Sequence, residues 1–311
     1  MWVKKGLIFK TKKQWDWVRS HACVPTAIEL ENFIRVYFAP RNKKGQSIPI
    51  FIDVDKQNPD NIIRIAKNPI IDLGDVGTFD DGGIMPCSII KKDGLFYMYY
   101  VGWNPSVSVP YRNSIGLMVS EDGEKFKRLY KGPIVDRNLN EPFFTASPCV
   151  LFEDGLWKMW YASSTGFVKA TNAGGQSPLY HIKYAESING INWIRNNVSC
   201  IIPKNEFECT ARPSIIKEYG IYKMWYCYRG SFDYRDGDDS YKIGYAESTN
   251  GVNWGRMDEK VGIQLSKEGF DSKMMTYPSV IDINGDKHMF YNGNGFGKEG
   301  IGLATYKNNK K

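Results

Sequence analysis

A seven-residue pattern that returns along this chain constrains its fold more than any other feature. Gly, an apolar residue, an aromatic, any residue, Met, an aromatic and Tyr occupy residues 94–100, 155–161 and 220–226. Residues 285–291 are a looser copy and 32–38 the weakest one. A proline precedes each copy: Pro25, Pro86, Pro148, Pro213 and Pro278, separated by 61, 62, 65 and 65 residues. Each proline opens a short apolar run, such as Pro213-Ser214-Ile215-Ile216. Proline has no N–H to give a ladder, so it is tolerated where a strand begins. The run and the Met-aromatic segment then read as a hairpin joined by a Gly-containing turn.

A third strand follows each hairpin, beginning at Ile115, Ile182, Ile243 and Ile301 in the last four units. Three of these run into a turn resembling an Asp box: Ser120-Glu121-Asp122-Gly123, Ser187-Ile188-Asn189-Gly190 and Ser248-Thr249-Asn250-Gly251. Asp-Gly and Asn-Gly supply the positive φ of a tight turn, and the aromatic that follows (Phe126, Trp193, Trp254) packs beneath it. The box is read as structural and carries no catalysis. A fourth strand comes after it. Five units of four short antiparallel strands predict an all-β, five-bladed β-propeller, a single domain over residues 1–311. A parallel α/β sheet is disfavoured, because no segment of 10–15 residues between strands has helical periodicity. The fifth unit lacks a fourth strand, whereas residues 2–9 share the pattern of 126–135. The N-terminal strand is therefore expected to close the last blade, which leaves no open sheet edge.

The remaining totals narrow the function classes. The first residues have no apolar signal core, and no run approaches the roughly 18 apolar residues of a membrane span. Six cysteines without a CxxC pair read as free thiols, which places the chain in a reducing, cytoplasmic setting. Three histidines are too few for a His-rich metal centre, and no cofactor-binding motif is present. The net charge of +7 is spread along the chain and is compatible with an anionic ligand without identifying one; no nucleic acid or membrane partner is expected. Nothing in the chain specifies an oligomeric state.

In a propeller, strand one of each blade lines the channel. The loops leading into strand one open on the same face as those joining strands two and three; the Asp-box turns lie opposite. The leading loops carry His21, then Asp80 and Asp81, then Glu208 and Arg212, then Asp271 and Tyr277. Asp81 and Glu208 both stand five residues before their prolines, so they are expected at one depth, facing each other across the ring. Asp80-Asp81-Gly82-Gly83 also fits a plain turn, and Glu208 also fits an ion pair with Arg212. Arg41, Trp103, Arg229 and Asn294 follow the second strands. The loops after Trp103, Thr165 and Arg229 exceed what a hairpin needs, and long loops on a rigid scaffold concentrate binding residues. Trp103 leads into a loop and is the stacking candidate, whereas Trp157 lies within a strand and belongs to the core. His21, Arg41, Trp103, Arg212, Arg229, Tyr277 and Asn294 form the expected binding set for a polyhydroxyl or phosphorylated ligand.

The Pro-led run, the Met-aromatic-Tyr segment and Tyr-Ala-Glu-Ser-x-Asn-Gly-x-Asn-Trp together resemble the five-bladed, furanosidase-type glycoside hydrolases of families 43, 32 and 130. The resemblance covers nearly the whole chain. It implies glycosidic-bond cleavage by two carboxylates, one protonating the leaving oxygen while the other attacks or stabilises from the opposite face. In those families the acids stand on strand one, one or two residues before the proline. Here those slots hold Cys23-Val24, Ile84-Met85, Ala146-Ser147, Ala211-Arg212 and Thr276-Tyr277, none acidic. Glu208-Cys209 partly matches the Glu-Cys pair of family 32, with Thr210 in place of the proline. Glu208 as acid, with Asp81, Asp80 and Asp271, is the available catalytic set. Three readings follow: a glycosidase-like enzyme on a sugar or sugar-nucleotide conjugate; a noncatalytic sugar-binding propeller; and an enzyme of cell-surface polysaccharide assembly with a different reaction.

Overall fold

The structure, a computed structural model, describes residues 1–12, 14–170, 175–235 and 237–307. β1 (Val3–Phe9) is followed by blade 1, with β2 (Ser20–Glu29), β3 (Phe33–Arg41), β4 (Ile50–Asp55) and β5 (Ile62–Ile65). Blade 2 has β6 (Gly83–Lys92), β7 (Leu95–Pro105), β8 (Tyr111–Ser120) and β9 (Lys127–Arg128). Blade 3 has β10 (Thr145–Glu153), β11 (Leu156–Lys169), β12 (Gln176–Ser187) and β13 (Ile194–Ser199). Blade 4 has β14 (Cys209–Glu218), β15 (Ile221–Arg229), β16 (Lys242–Ser248) and β17 (Gly255–Arg256). Blade 5 has β18 (Thr276–Ile283), β19 (Asp286–Asn292) and β20 (Ile301–Tyr306), and β1 pairs antiparallel with β20 as its fourth strand. The fold is thus an all-β five-bladed propeller with four antiparallel strands per blade, closed by the N-terminal strand as the missing fourth strand required. Among the described residues no helix is long and apolar enough to cross a membrane. All six cysteines are free and buried.

The repeated motif works because successive strand residues point to opposite faces. Its second aromatic reaches the Asp-box turn of the next blade. Tyr37 donates to the Gly123 carbonyl at 2.6 Å, Tyr99 to Gly190 at 3.0 Å, and Trp160 Nε1 to Gly251 at 2.6 Å. Those turns are tied internally as well: Asp122 Oδ1 accepts the Glu124 and Lys125 amides, which holds its carboxyl below the usual range. The box thus joins blade to blade, as a structural role requires.

The inner strands carry the second device. The residue before the proline takes a left-handed backbone at Val24, Ser147, Arg212 and Tyr277, with φ between 49° and 57°. Each coincides with a register shift in the β2–β3, β10–β11, β14–β15 and β18–β19 ladders. Blade 2 bulges later, after Pro86. Such backbone in a non-glycine residue costs on the order of 1–3 kcal/mol. Bulges re-aim side chains, and here they fall where strand one faces the channel. Side chains next to the prolines then link neighbouring inner strands: Thr26 donates to the Pro86 carbonyl, Ser88 accepts the Val150 amide, Ser214 the Val280 amide, and Ser279 the Ala27 amide.

Candidate functional site

The carboxylates of the leading loops form a repeated wall inside the blades. Asp80, fully buried, accepts from Tyr100 Oη at 2.9 Å and from Arg128 Nε at 2.7 Å. Glu141 accepts from Tyr161 Oη at 2.8 Å and Arg195 Nη1 at 2.6 Å. Asp271 accepts from Tyr291 Oη at 2.9 Å and Lys4 Nζ at 2.7 Å. In each the tyrosine ends the repeat motif and stands 20 residues after the acid, while the cation lies on the outer strand of the same blade. Burial beside a carboxylate pushes the three tyrosines well above their ordinary pKa. Blade 4 varies the theme. Tyr226 donates to Asp258 at 2.7 Å, and Arg256 bridges Asp258 to Glu208, meeting both Glu208 oxygens at 2.6 and 2.9 Å. Blade 1 replaces the polar pair with buried Val18 and Phe38, again 20 residues apart.

This arrangement corrects the sequence expectation for the carboxylates. Asp81 and Glu208 share a register, but neither lines the channel-mouth cavity. Asp80, rather than Asp81, is the blade counterpart of Glu141 and Asp271. Asp81 accepts the Gly77 amide within its own loop. Glu208 pairs with Arg256 instead of Arg212. A one-residue offset turns a side chain to the other face, and the late bulge of blade 2 breaks the equivalence that counting back from the proline assumes.

The channel mouth holds a cavity of about 410 Å³, within the range of small-molecule sites. Its lining includes the residues one or two before the prolines: Cys23, Val24, Met85, Ala146, Ser147, Ala211 and Tyr277. Trp103, Tyr111, Tyr180, Tyr234 and Tyr241 supply an aromatic wall. His21, Arg41, Arg235, Ser47 and Asn113 supply polar groups. No Asp or Glu among the described residues lines it. Two of its polar atoms, Arg41 Nε and Asn113 Oδ1, are buried without a hydrogen-bond partner. Trp103 Nε1 makes a long contact of 3.4 Å with Ser47 Oγ.

Of the expected binding set, His21, Arg41, Trp103 and Tyr277 come together here. The other three do not. Arg212 crosses the axis from blade 4, donating to the Cys87 carbonyl and, at 2.9 and 3.0 Å, to the Pro25 carbonyl and Thr26 Oγ1. It ties blade 4 to blades 1 and 2. Arg229 is buried behind the aromatic wall: it donates to Tyr180 Oη at 2.8 Å and lies 3.9 Å over the Tyr234 ring. Asn294 holds its own loop, accepting the Lys273 and Met274 amides and donating to the Gly269 carbonyl. The sequence reading missed Tyr180, Tyr234, Tyr241 and Arg235 as lining residues. Their signal was the length of the strand two-to-three loops of blades 3 and 4, which border or contain them.

His21 has a left-handed backbone (φ 63°) and a 2.7 Å contact from its Nδ1 to Ser20 Oγ. Burial, with Arg41 and Lys298 nearby, pushes its imidazole down to about 4. Burial pushes the Cys23 and Cys87 thiols up to about 11, so neither is an activated nucleophile in this state.

The fold is that of the five-bladed propellers found among glycoside hydrolases. A solved structure described as "Glycoside hydrolase" superposes with a TM-score of 0.75 at 16% identity, covering 98% of this chain and 91% of that one. A thermostable family-43 glycoside hydrolase gives 0.68 at 16% identity, over 94% and 92%. A GH130 structure, from work on glycoside hydrolases that target beta-1,2 mannosidic linkages in Candida mannan, gives 0.63 at 16%, over 95% and 86%. No family model matches the sequence. Two Mycobacterium tuberculosis sequences, "Uncharacterized protein Rv1502" and "Uncharacterized protein MT1551", are each 34% identical over 309 residues, 99% of this chain and 99% of theirs. The chain belongs to the family of these two mycobacterial proteins.

Proposed function

We propose that this protein binds a carbohydrate in the channel-mouth cavity and does not cleave it by the two-carboxylate mechanism. The observation that carries the reading is the cavity lining: Cys23, Val24, Met85, Ala146, Ser147, Ala211 and Tyr277 stand where the resemblance places acids, and rings and unpartnered polar atoms surround them. Aromatic faces suit the C–H faces of a sugar. A polyol both donates and accepts, so it is able to satisfy Asn113 Oδ1 and Arg41 Nε together, which an apolar ligand is not. The carboxylates are committed elsewhere. Glu208 meets Arg256 through both oxygens, and Asp80 and Asp271 each hold a tyrosine and a cation.

The glycosidase reading keeps one support, the fold shared with glycoside hydrolases, and one residue to test. Glu208→Gln removes a carboxylate without removing bulk. Screening wild type against aryl glycosides, oligosaccharides and sugar nucleotides, by binding and by turnover, decides between the readings. Saturable binding, quenching of tryptophan fluorescence and no glycoside turnover support the binding protein. Glycoside turnover that collapses in Glu208→Gln restores the hydrolase, with Glu208 as acid.

A further inference from the structure

Among the described residues the cavity has cations but no counter-charge. Arg41 lines it with a buried Nε that has no hydrogen-bond partner, and it has no carboxylate within 4 Å among the described residues. The Cys23 thiol beside it is only a weak partner. The remaining arginines of the channel region differ. Arg212 donates to two carbonyls and a hydroxyl through Nη1 and Nη2, with its unpartnered Nε outside the cavity lining, and Arg229 donates to carbonyls and tyrosines. Of the two arginines that line the cavity, Arg235 is exposed and lies against the Tyr234 ring, whereas Arg41 holds a buried, unpartnered Nε at the open space. His21 lies beside it, with Lys298 close enough to disfavour a third positive charge on the imidazole. A planar guanidinium with free N–H groups in a partly desolvated site matches a carboxylate or a phosphate oxygen pair and discriminates poorly among neutral hydroxyls.

We infer that Arg41 is an anion-docking residue, and that the cavity selects a negatively charged sugar, phosphorylated or carboxylated, over its neutral parent. The inference rests on the carbohydrate reading and adds the charge of the ligand to it. Trp103 and Tyr277 border the same space and offer faces to the ring, with Asn113 Oδ1 taking a hydroxyl. The anion replaces the missing carboxylate as the partner of Arg41, so its binding lowers the repulsion on His21 and draws a proton toward it.

The test is calorimetric and fluorescence titration of the full chain with four hexoses (glucose, galactose, mannose, N-acetylglucosamine), their 1-phosphates, and glucuronic and galacturonic acids. The same titrations use Arg41→Gln and Arg41→Lys. The expected result is at least tenfold tighter binding of one charged member than of its neutral parent. Arg41→Gln should lose that preference and Arg41→Lys keep part of it. The 1-phosphate and uronate arms show which anion is read. Equal affinity for a charged sugar and its parent, or an unchanged preference in Arg41→Gln, overturns the anion site and leaves the sugar cavity standing. Absence of binding by every member overturns both. An unchanged near-ultraviolet circular dichroism spectrum for Arg41→Gln shows that any loss belongs to the ligand and not to folding.

Discussion

The carboxylate wall within the blades and the cavity at the channel mouth both place charge in partly dry surroundings, but they resolve it in opposite ways. In the wall every acid has a cation and, in blades 2, 3 and 5, a tyrosine hydroxyl within 3 Å. The group is complete without a ligand. In the cavity Arg41 and Asn113 keep unpaired polar atoms, and these stay costly until something else pairs with them. Satisfied burial marks architecture; unsatisfied burial beside open space marks a ligand. The acids of the wall sit in the loops that lead into the channel strands, whereas Arg41 ends β3 and Asn113 lies in β8.

This contrast is open to direct attack. The largest effect should come from Asp80→Ala. It strands Arg128 and the Tyr100 hydroxyl in a buried site, and breaking such a pair costs about 3–5 kcal/mol; urea denaturation measures it. Arg41→Gln in the same assay should cost far less, since no protein carboxylate loses its partner. A comparable loss in both variants would erase the distinction between wall and cavity. Arg212→Met should come next. It leaves the Cys87 and Pro25 carbonyls without their charged donor, a loss on the order of one charge-assisted hydrogen bond, about 1.5–3 kcal/mol. Thermal unfolding should show that loss while the other blade contacts persist. Trp103→Ala should leave stability nearly unchanged and weaken sugar binding by about tenfold, the scale of one aromatic contact; full affinity in this variant would move the stacking face elsewhere in the cavity.

The smallest effect is in pH. Burial lowers the pKa of all three histidines, with Arg41 and Lys298 adding to it at His21 and Lys183 at His181. Acidic residues oppose it in two places, Glu208 at His181 and Asp286, Asp282 and Glu29 at His288. The unfolded chain, with imidazoles near 6.5, takes up protons before the folded one. Stability from these groups is therefore complete above about pH 6.5 and declines as pH falls, until His21 also protonates in the folded state near pH 4. Melting temperatures from pH 7 to pH 4.5 should fall for wild type and fall less for His21→Asn.

The ring is legible in the chain. The spacing of the prolines, the Met-aromatic-Tyr motif and the Asp-Gly and Asn-Gly turns are local signals, each fixed by the conformations that proline, glycine and alternating strands permit. Five copies then leave few alternatives. The N-terminal closure was legible for the same reason, because residues 2–9 carry a strand pattern that the last blade lacks. Four cavity residues, His21, Arg41, Trp103 and Tyr277, were also within reach, since strand order assigns their loops to one face. The direction of each charged side chain emerges only once the blades have packed. The bulges before Pro25, Pro148, Pro213 and Pro278 rotate neighbouring residues into or away from the channel, and blade 2 bulges later than the rest. Asp81 and Glu208 share a distance from their prolines, yet neither lines the cavity. The cations that claim Asp80, Glu141, Glu208 and Asp271 lie on outer strands 48, 54 and 48 residues later in the chain for the first three and, for Asp271, at its other end. Pairing across such separations depends on how the blades fold back on themselves, and it decides which carboxylates remain available to a substrate.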